Sequence, residues 1–373
     1  KEFKMATYKS IKYIIPTEAV EHTDSINALA DVDTTTVAPS VGQTLKWSAA
    51  NSRWQPADIE EASNISTTLG IIAGGYSGEY SSGALASHVY ITNVGAVGSD
   101  ITNTNSETED GAAITYGGDK GFFISYISYS LMTNVGVIGS STSCSGFDIF
   151  GQANTLTGCT YGLDKGIVGW GYSGDTGPTT FKLSKSYLIT NTGVIGNETA
   201  IPGATSTTLR EQCVGSSYGG DKGIVVYGEG FKSDGSYSDT TGRASLVSNV
   251  GVVASESSIA GNKRVYACGG EYGGDKAIIY SGGTQDGDLN GSNTINLISN
   301  TGVVASTSTG AGSARANAAY TRYGSDKAII YHGETSSSRL TVTNLVSNVG
   351  VVATDTSTSN TGRQDGMGCG YGS

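Results

Sequence analysis

Apolar residues along most of this chain come in short unbroken runs: Gly70-Ile71-Ile72-Ala73, Phe122-Phe123-Ile124, Ile224-Val225-Val226-Tyr227 and Ile278-Ile279-Tyr280. They are too short for helices and do not alternate, so they predict strands buried on both faces. A glycine-rich stretch leads into most of them: Tyr116-Gly117-Gly118-Asp119-Lys120, Tyr161-Gly162-Leu163-Asp164-Lys165, Tyr218-Gly219-Gly220-Asp221-Lys222, Tyr272-Gly273-Gly274-Asp275-Lys276 and Tyr323-Gly324-Ser325-Asp326-Lys327. Tyr371-Gly372-Ser373 starts the stretch once more. A second run, such as Asn296-Leu297-Ile298 or Asn344-Leu345-Val346, ends at an Asn-x-Gly turn. That turn occurs six times, at Asn93, Asn134, Asn191, Asn249, Asn300 and Asn348.

The tyrosines are spaced by 45, 57, 54, 51 and 48 residues, a period of about fifty that stretches in loops. Four strands fit each copy. Strand A is a run of small residues before the glycine turn, such as Ala316-Asn317-Ala318-Ala319-Tyr320. Strand B is the apolar run, strand C the Asn-Leu run, and strand D the stretch after Asn-x-Gly, Val303-Val304 or Val351-Val352. Glycine supplies the positive φ of the A–B turn. Six four-stranded antiparallel units buried on both faces predict an all-β, six-bladed β-propeller over residues 67–373. The first copy lacks a strand A and the last carries an extra one, Met367-Gly368-Cys369-Gly370-Tyr371. That C-terminal strand is expected to complete the first blade and close the ring, whereas a solenoid would need capping repeats.

Residues 1–66 contain none of the repeat. Gly42-Gln43-Thr44-Leu45-Lys46-Trp47 and Arg53-Trp54-Gln55-Pro56 predict a β-hairpin with an aromatic residue on each arm. So small a unit buries little surface by itself and is expected to pack on a partner or on its own copies. The repeat, with glycines closing strand B (Ala73-Gly74-Gly75, Ser281-Gly282-Gly283) and an arginine before strand A, resembles Kelch repeats. The tryptophan that Kelch repeats carry after the Asn-x-Gly region is Val or Ala here. The form YGGDKAIIY…NLISNTGVVAS is more similar to Kelch-like repeats in structural proteins of tailed bacteriophages, marine ones especially. The stretch from Leu29-Ala30-Asp31-Val32-Asp33 through Trp54-Gln55-Pro56 resembles a short module of phage tail-fibre and other virion proteins. The resemblance implies a virion protein, with residues 1–66, Trp47 and Trp54 among them, attaching to other virion proteins.

Composition narrows the classes further. A net charge of −11 argues against nucleic acid as a partner. No apolar stretch approaches a spanning helix, and no secretory leader is visible in the sequence, so membrane insertion and signal-peptide export are not expected. Met5 reads as a candidate start. Cys144, Cys159, Cys213, Cys268 and Cys369 show no CxxC spacing and read as buried free thiols. No metal or other cofactor is implied. Asp286-Gly287-Asp288 and Asp234-Gly235-Ser236 lack the complete calcium-loop pattern.

Antiparallel order puts the short, uniform A–B and C–D turns on one face and the long, variable B–C and D–A loops on the other. Binding is expected on the variable face. Arg210, Arg264, Arg315 and Arg363 each stand eight residues before a repeat tyrosine. That register places them near the channel mouth, as a partial cationic ring for an anionic sugar or phosphate, or as packing residues that bond loop carbonyls and nearby acids. Tyr76, Tyr80, Trp170 and Tyr172 are candidate stacking surfaces for glycans, with Phe147, Phe150, Phe231 and Tyr237 in similar loops. His22, His88 and His332 form no HExxH or related pattern, and no GxSxG is present. The expectation is a non-enzymatic tail-fibre or appendage adhesin, possible as a homo-oligomer, that binds a host-surface glycan or protein. A purely structural capsid or tail decoration is the alternative, and a paired-carboxylate glycan hydrolase a second one.

Overall fold

The computed structural model describes residues 32, 43–48, 51–58, 67–78, 83–102, 111–125, 128–144, 153–173, 181–182, 185–202, 210–231, 237–284 and 287–372. The chain divides into two compact units, Lys1–Ser63 and Asn64–Ser373. In the first, Gln43–Ser48 and Arg53–Asp58 form the antiparallel hairpin, with Trp47 opposite Trp54. Their rings meet edge to face at 5.7 Å, and both remain exposed.

The second unit is a six-bladed β-propeller with no helix among the described residues. Blades 2 to 6 each run A-B-C-D outward: blade 2 begins at Ala112–Tyr116, blade 3 at Thr157–Tyr161, blade 4 at Val214–Tyr218, blade 5 at Cys268–Tyr272 and blade 6 at Ala319–Tyr323. Blade 1 takes its strand A from the C-terminus: Met367–Tyr371 pairs with Leu69–Ala73, from Leu69 opposite Tyr371 to Ala73 opposite Met367. The ring is closed as the repeat phase predicts. The apolar runs are strand B, second from the axis, buried on both faces between neighbouring blades.

Strand A lines the axis, where backbones crowd. A Cβ on Gly158, Gly215, Gly269 or Gly368 would meet atoms of the adjoining strands. Tyr320 is the large exception, and it fits over Gly270 of blade 5 and donates its hydroxyl to the Glu271 carbonyl at 2.9 Å. Two sequence expectations are corrected. Strand A of blade 6 runs from Ala319 to Tyr323, not from Ala316 to Tyr320, because Asn317 turns left-handed at φ 52° and breaks the extended chain. Strand D is interrupted in blades 5 and 6, where Val304 and Val352 form single bridges and pairing resumes only at Ser308–Thr309 and Thr356–Ser357, while blade 3 keeps a continuous Ile195–Ala200. Short, broken outer strands offer little template for edge-to-edge pairing.

The two repeat motifs meet at the joints between blades. The first glycine of each A–B turn donates its N–H to the next blade: Gly117 to Asp164, Gly162 to Asp221, Gly219 to Asp275, Gly273 to Asp326, Gly324 to Thr68 and Gly372 to Asp119. These six bonds, 2.6–2.9 Å long, form a closed circuit. The repeat tyrosine packs on the glycine of the neighbouring Asn-x-Gly turn, as with Tyr272 on Gly350 and Tyr371 on Gly136. Burying each ring contributes about 2 kcal/mol. The Asp-Lys pairs close locally, for example Lys276 to Asp275 at 2.6 Å. Such half-exposed pairs are worth roughly 0–1 kcal/mol. The Lys327 bond, joined by one from Asn348 and opposed by partial burial, lowers the Asp326 pKa.

The joint is testable at two glycines. Gly273 has φ +64° and a Cβ there would lie 2.8 Å from the Asn348 carbonyl, while Gly287 has φ +74° and open space. Both Gly→Ala variants pay for left-handed backbone, but only Gly273→Ala overpacks the joint. Urea unfolding should show Gly273→Ala less stable than Gly287→Ala by about 1–3 kcal/mol. Equal losses would mean the contact carries no weight.

Candidate recognition site at the channel mouth

On the variable face the D–A loops descend into the axis, and the residue six places before the repeat tyrosine turns left-handed. Thr155, Gln212, Tyr266, Asn317 and Asp365 have φ between 52° and 57°. Five non-glycine residues in this region at one register are a costly arrangement, roughly 1–3 kcal/mol each. It persists because neighbouring loops brace one another. Asp365 N donates to Asn317 O at 2.9 Å, and Asn317 N to Tyr266 O at 2.8 Å. Side chains add further ties: Thr155 to Glu211 at 3.2 Å, Asn317 to Glu334 at 2.7 Å and Gln364 to Asp365 at 2.9 Å. The five residues line a depression of about 150 Å³ whose floor includes Leu156, Cys213, Ala267, Ala318 and Gly366.

The ring is geometrically repeated and chemically varied. It carries a hydroxyl, two amides, a phenol and a carboxylate, with no cation among the five. Asn317 is buried with its amide on Glu334, and the half-buried set at the mouth is Thr155, Gln212, Tyr266 and Asp365. Such a set hydrogen-bonds to hydroxyl-rich ligands and offers one aromatic surface for stacking. Sequence reasoning missed it, although its signal was present. The register six before each tyrosine changes in four of the six blades, Thr155, Gln212, Tyr266 and Asn317, and is Asp in the other two, Asp110 and Asp365, beside motifs that hardly vary.

The arginine expectation is corrected. Arg210, Arg264, Arg315 and Arg363 are buried beneath the loops, at most 1% exposed, and do not form a cationic ring at the mouth. Each guanidinium ties its own blade together. Arg210 donates to the carbonyls of Tyr227 and Arg243, to Ser245 and to Glu256. Arg363 does the same with Gly74, Ser87 and Asp100. Three of the four also stack on a tyrosine of the preceding blade: Arg264 on Tyr227, Arg315 on Tyr280 and Arg363 on Tyr331. Arg210, Arg264 and Arg363 bond backbone carbonyls, Arg315 bonds Asn344, and in three blades the guanidinium pairs with an acid, which is the packing alternative.

Tyr76 and Trp170 are likewise core residues, not exposed stacking surfaces. Tyr76 bridges Ala84 and Gln364, and Trp170 follows strand B of blade 3 with φ 45° and packs in the core with Cys159, Tyr161 and Ile201. Tyr80, Phe147 and Phe150 lie outside the described residues, as do the side chains of Tyr172, Phe231 and Tyr237. Burial pushes Cys159 and Cys369 up to about 12, as expected of enclosed thiols. Among the described residues no three His, Cys, Asp or Glu side chains cluster as metal ligands.

On the uniform face the turn tips Val94, Val135, Val250 and Val349 are each at least 70% exposed, and five more valines sit just beyond the turns. Recurring blade after blade, they form an apolar rim.

No protein-family model matches the chain, and no curated protein is significantly similar to it. The class defined by the structure is architectural: a six-bladed β-propeller, closed by its C-terminal strand, with a varied polar ring at one mouth of the channel.

One buried group makes stability depend on pH. His332 is enclosed in blade 6, bonded to Thr358 at 2.8 Å, and burial with the nearby Arg363 charge lowers its pKa to about 3. Its folded pKa lies below the unfolded value of 6.5, so the unfolded chain binds the proton more readily. The contribution is complete above pH 6.5 and is lost as pH falls toward 3. His332→Asn, which tolerates the φ of 51°, should flatten the loss. Between pH 6.5 and 5 the wild type should lose up to about 1.4 kcal/mol per pH unit more than the variant. Parallel stability curves would contradict this.

Proposed function

We propose that this protein is a virion component of a tailed bacteriophage, with its propeller acting as an adhesin that binds a host-surface glycan or protein. The observation that carries the binding reading is the ring of Thr155, Gln212, Tyr266, Asn317 and Asp365: strained backbone, one register, and different chemistry among the five. A second left-handed register, Trp170, Tyr227, Ser281 and His332, is equally varied but fully buried. The mouth ring differs in bordering a solvent-open depression, and that exposure favours binding. The polar, cation-free character of the ring favours sugar hydroxyls over phosphate. The virion setting is supported by the sequence resemblance of the repeat and of the segment before it. The apolar rim on the opposite face supports a role for that face in contacts with other proteins of an assembly.

The mode of action is reversible capture, with avidity arising where several copies engage one surface. A second reading, glycan cleavage, draws on Glu211 and Glu229. These buried residues bond each other's backbones across an antiparallel bridge, and Glu211 is tied to Thr155 of the ring.

Gln212→Gly and Tyr266→Gly separate binding from folding, because glycine accepts the left-handed φ that these residues adopt under strain. Both variants should unfold at equal or higher temperature than the wild type. On a glycan array or host-cell surface, each should bind about tenfold or more weakly. A ligand seated at the mouth should also slow alkylation of Cys213, which lines the floor. Unchanged binding in both variants would overturn the mouth assignment. No binding to any host surface would favour a decoration role, and shortened glycan products would favour the hydrolase.

A further inference from the structure

The four buried arginines are equivalent in position but not in charge balance. In blades 4, 6 and 1 an acid stands on strand D, three residues past the bridged valine: Glu256, Asp355 and Asp100. Glu256 receives Arg210 Nε at 2.6 Å, Asp100 receives Arg363 Nη2, and Asp355 lies 3.8 Å from Arg315 Nη1. In blade 5 the same position is Thr307. Arg264 donates Nη1 to the carbonyls of Ser281 at 3.0 Å and Thr294 at 2.9 Å, while its Nε and Nη2 are buried without a partner.

The surroundings retain the form of an acid site. In blades 6 and 1 the loop N–H two residues before the arginine donates to the acid, Ser313 to Asp355 at 3.0 Å and Thr361 to Asp100 at 2.8 Å. In blade 5 Asn262 N donates to Thr307 Oγ1 at 2.8 Å, and Asn296 Nδ2 donates to the same oxygen at 3.1 Å. With two bonds accepted, the Thr307 hydroxyl has its own proton to give. In blade 6 Asn344 Oδ1 accepts from Arg315 Nη2, so Asn296 Oδ1 is the natural acceptor for Arg264 Nη2. That leaves Nε, which meets Glu256 in blade 4 but is unpartnered in Arg315 and Arg363 too. It also leaves the charge, which those two arginines balance with Asp355 and Asp100 and Arg264 does not. Stacking on Tyr227 at 5.6 Å offsets only part of the cost of burying an unpaired cation.

We infer that blade 5 binds a small monovalent anion of chloride size between Arg264 Nε and the Thr307 hydroxyl, in place of the carboxylate that its sister blades carry. Thr307 is partly exposed, which gives the ion a route from solvent. Water could satisfy the same donors but would not neutralise the guanidinium, and this difference sets the test. The site lies under the loops that support the mouth, so the ion would brace the ring without touching its ligand.

The experiment measures the thermal unfolding midpoint of the full chain in sodium chloride and in sodium gluconate at matched ionic strength. The wild type should gain several degrees in chloride, with saturation, and little in gluconate, whose anion is too bulky to enter. Thr307→Asp supplies the missing carboxylate and should lose the chloride-specific gain while matching or exceeding wild-type stability in gluconate. Asp355→Thr should acquire a second chloride response. Crystals soaked in bromide should show an anomalous peak beside Arg264 Nε in the wild type and none in Thr307→Asp. Equal responses to the two salts, an undiminished chloride response in Thr307→Asp, or no bromide peak in the wild type would overturn the inference.

Discussion

The structure depends on the joint between neighbouring blades, where a glycine N–H reaches the next blade's turn and a tyrosine ring fills the next blade's Asn-x-Gly reversal. Each half of the joint explains one recurring motif. The first glycine must be glycine because its φ is positive and a carbonyl of the next blade sits against its Cα; the tyrosine supplies buried area that no blade could bury alone. Because the six bonds close on themselves, every joint supports two blades and the terminal strand is held like any other. Gly372, one residue from the chain end, donates to Asp119 and makes the last link.

A rigid ring on one face makes variation possible on the other. In four of the six blades an arginine acts beneath the loops, clamping the ends of strands B and C in blades 1, 4 and 5 and bonding Asn344 of strand C in blade 6. With the loop bases tied down, Gln212, Tyr266, Asn317 and Asp365 can hold left-handed conformations that an unsupported loop would relax. Thr155, whose blade has Ala153 at the arginine register, is tied to Glu211. Strain, burial and variety thus occur in layers: an invariant joint below, a clamp in the middle, and a changing polar ring on top. This layering is the physical basis for assigning recognition to the mouth and scaffold to the uniform face.

Much of the fold was legible from residue pattern alone. Non-alternating apolar runs marked strand B, the Asn-x-Gly phase gave the blade count, and the unmatched strands at the two ends predicted the pairing of Leu69–Ala73 with Met367–Tyr371. The site was much less legible. A charged residue at a fixed register, such as Arg363, reads the same whether it faces solvent or lies under a loop, because its desolvation depends on acceptors from distant positions, Gly74 and Ser87. Tyr76 and Trp170 illustrate the same difficulty: loop sequence suggested exposure, and folding back of the chain after strand B buried them. Backbone strain at Gln212 or Tyr266 leaves no compositional trace, since glycine would have been the conventional residue there. What could be seen was the contrast between changing residues and constant neighbours.

Hydrogen exchange of the six joint glycine amides, Gly117, Gly162, Gly219, Gly273, Gly324 and Gly372, tests the closed circuit most directly. The account predicts that all six exchange through one opening reaction, with a common free energy equal to that of global unfolding, Gly372 included. Early exchange of Gly372 and Gly324 while the other four stay protected would show an array that merely touches at its ends, and would contradict the account.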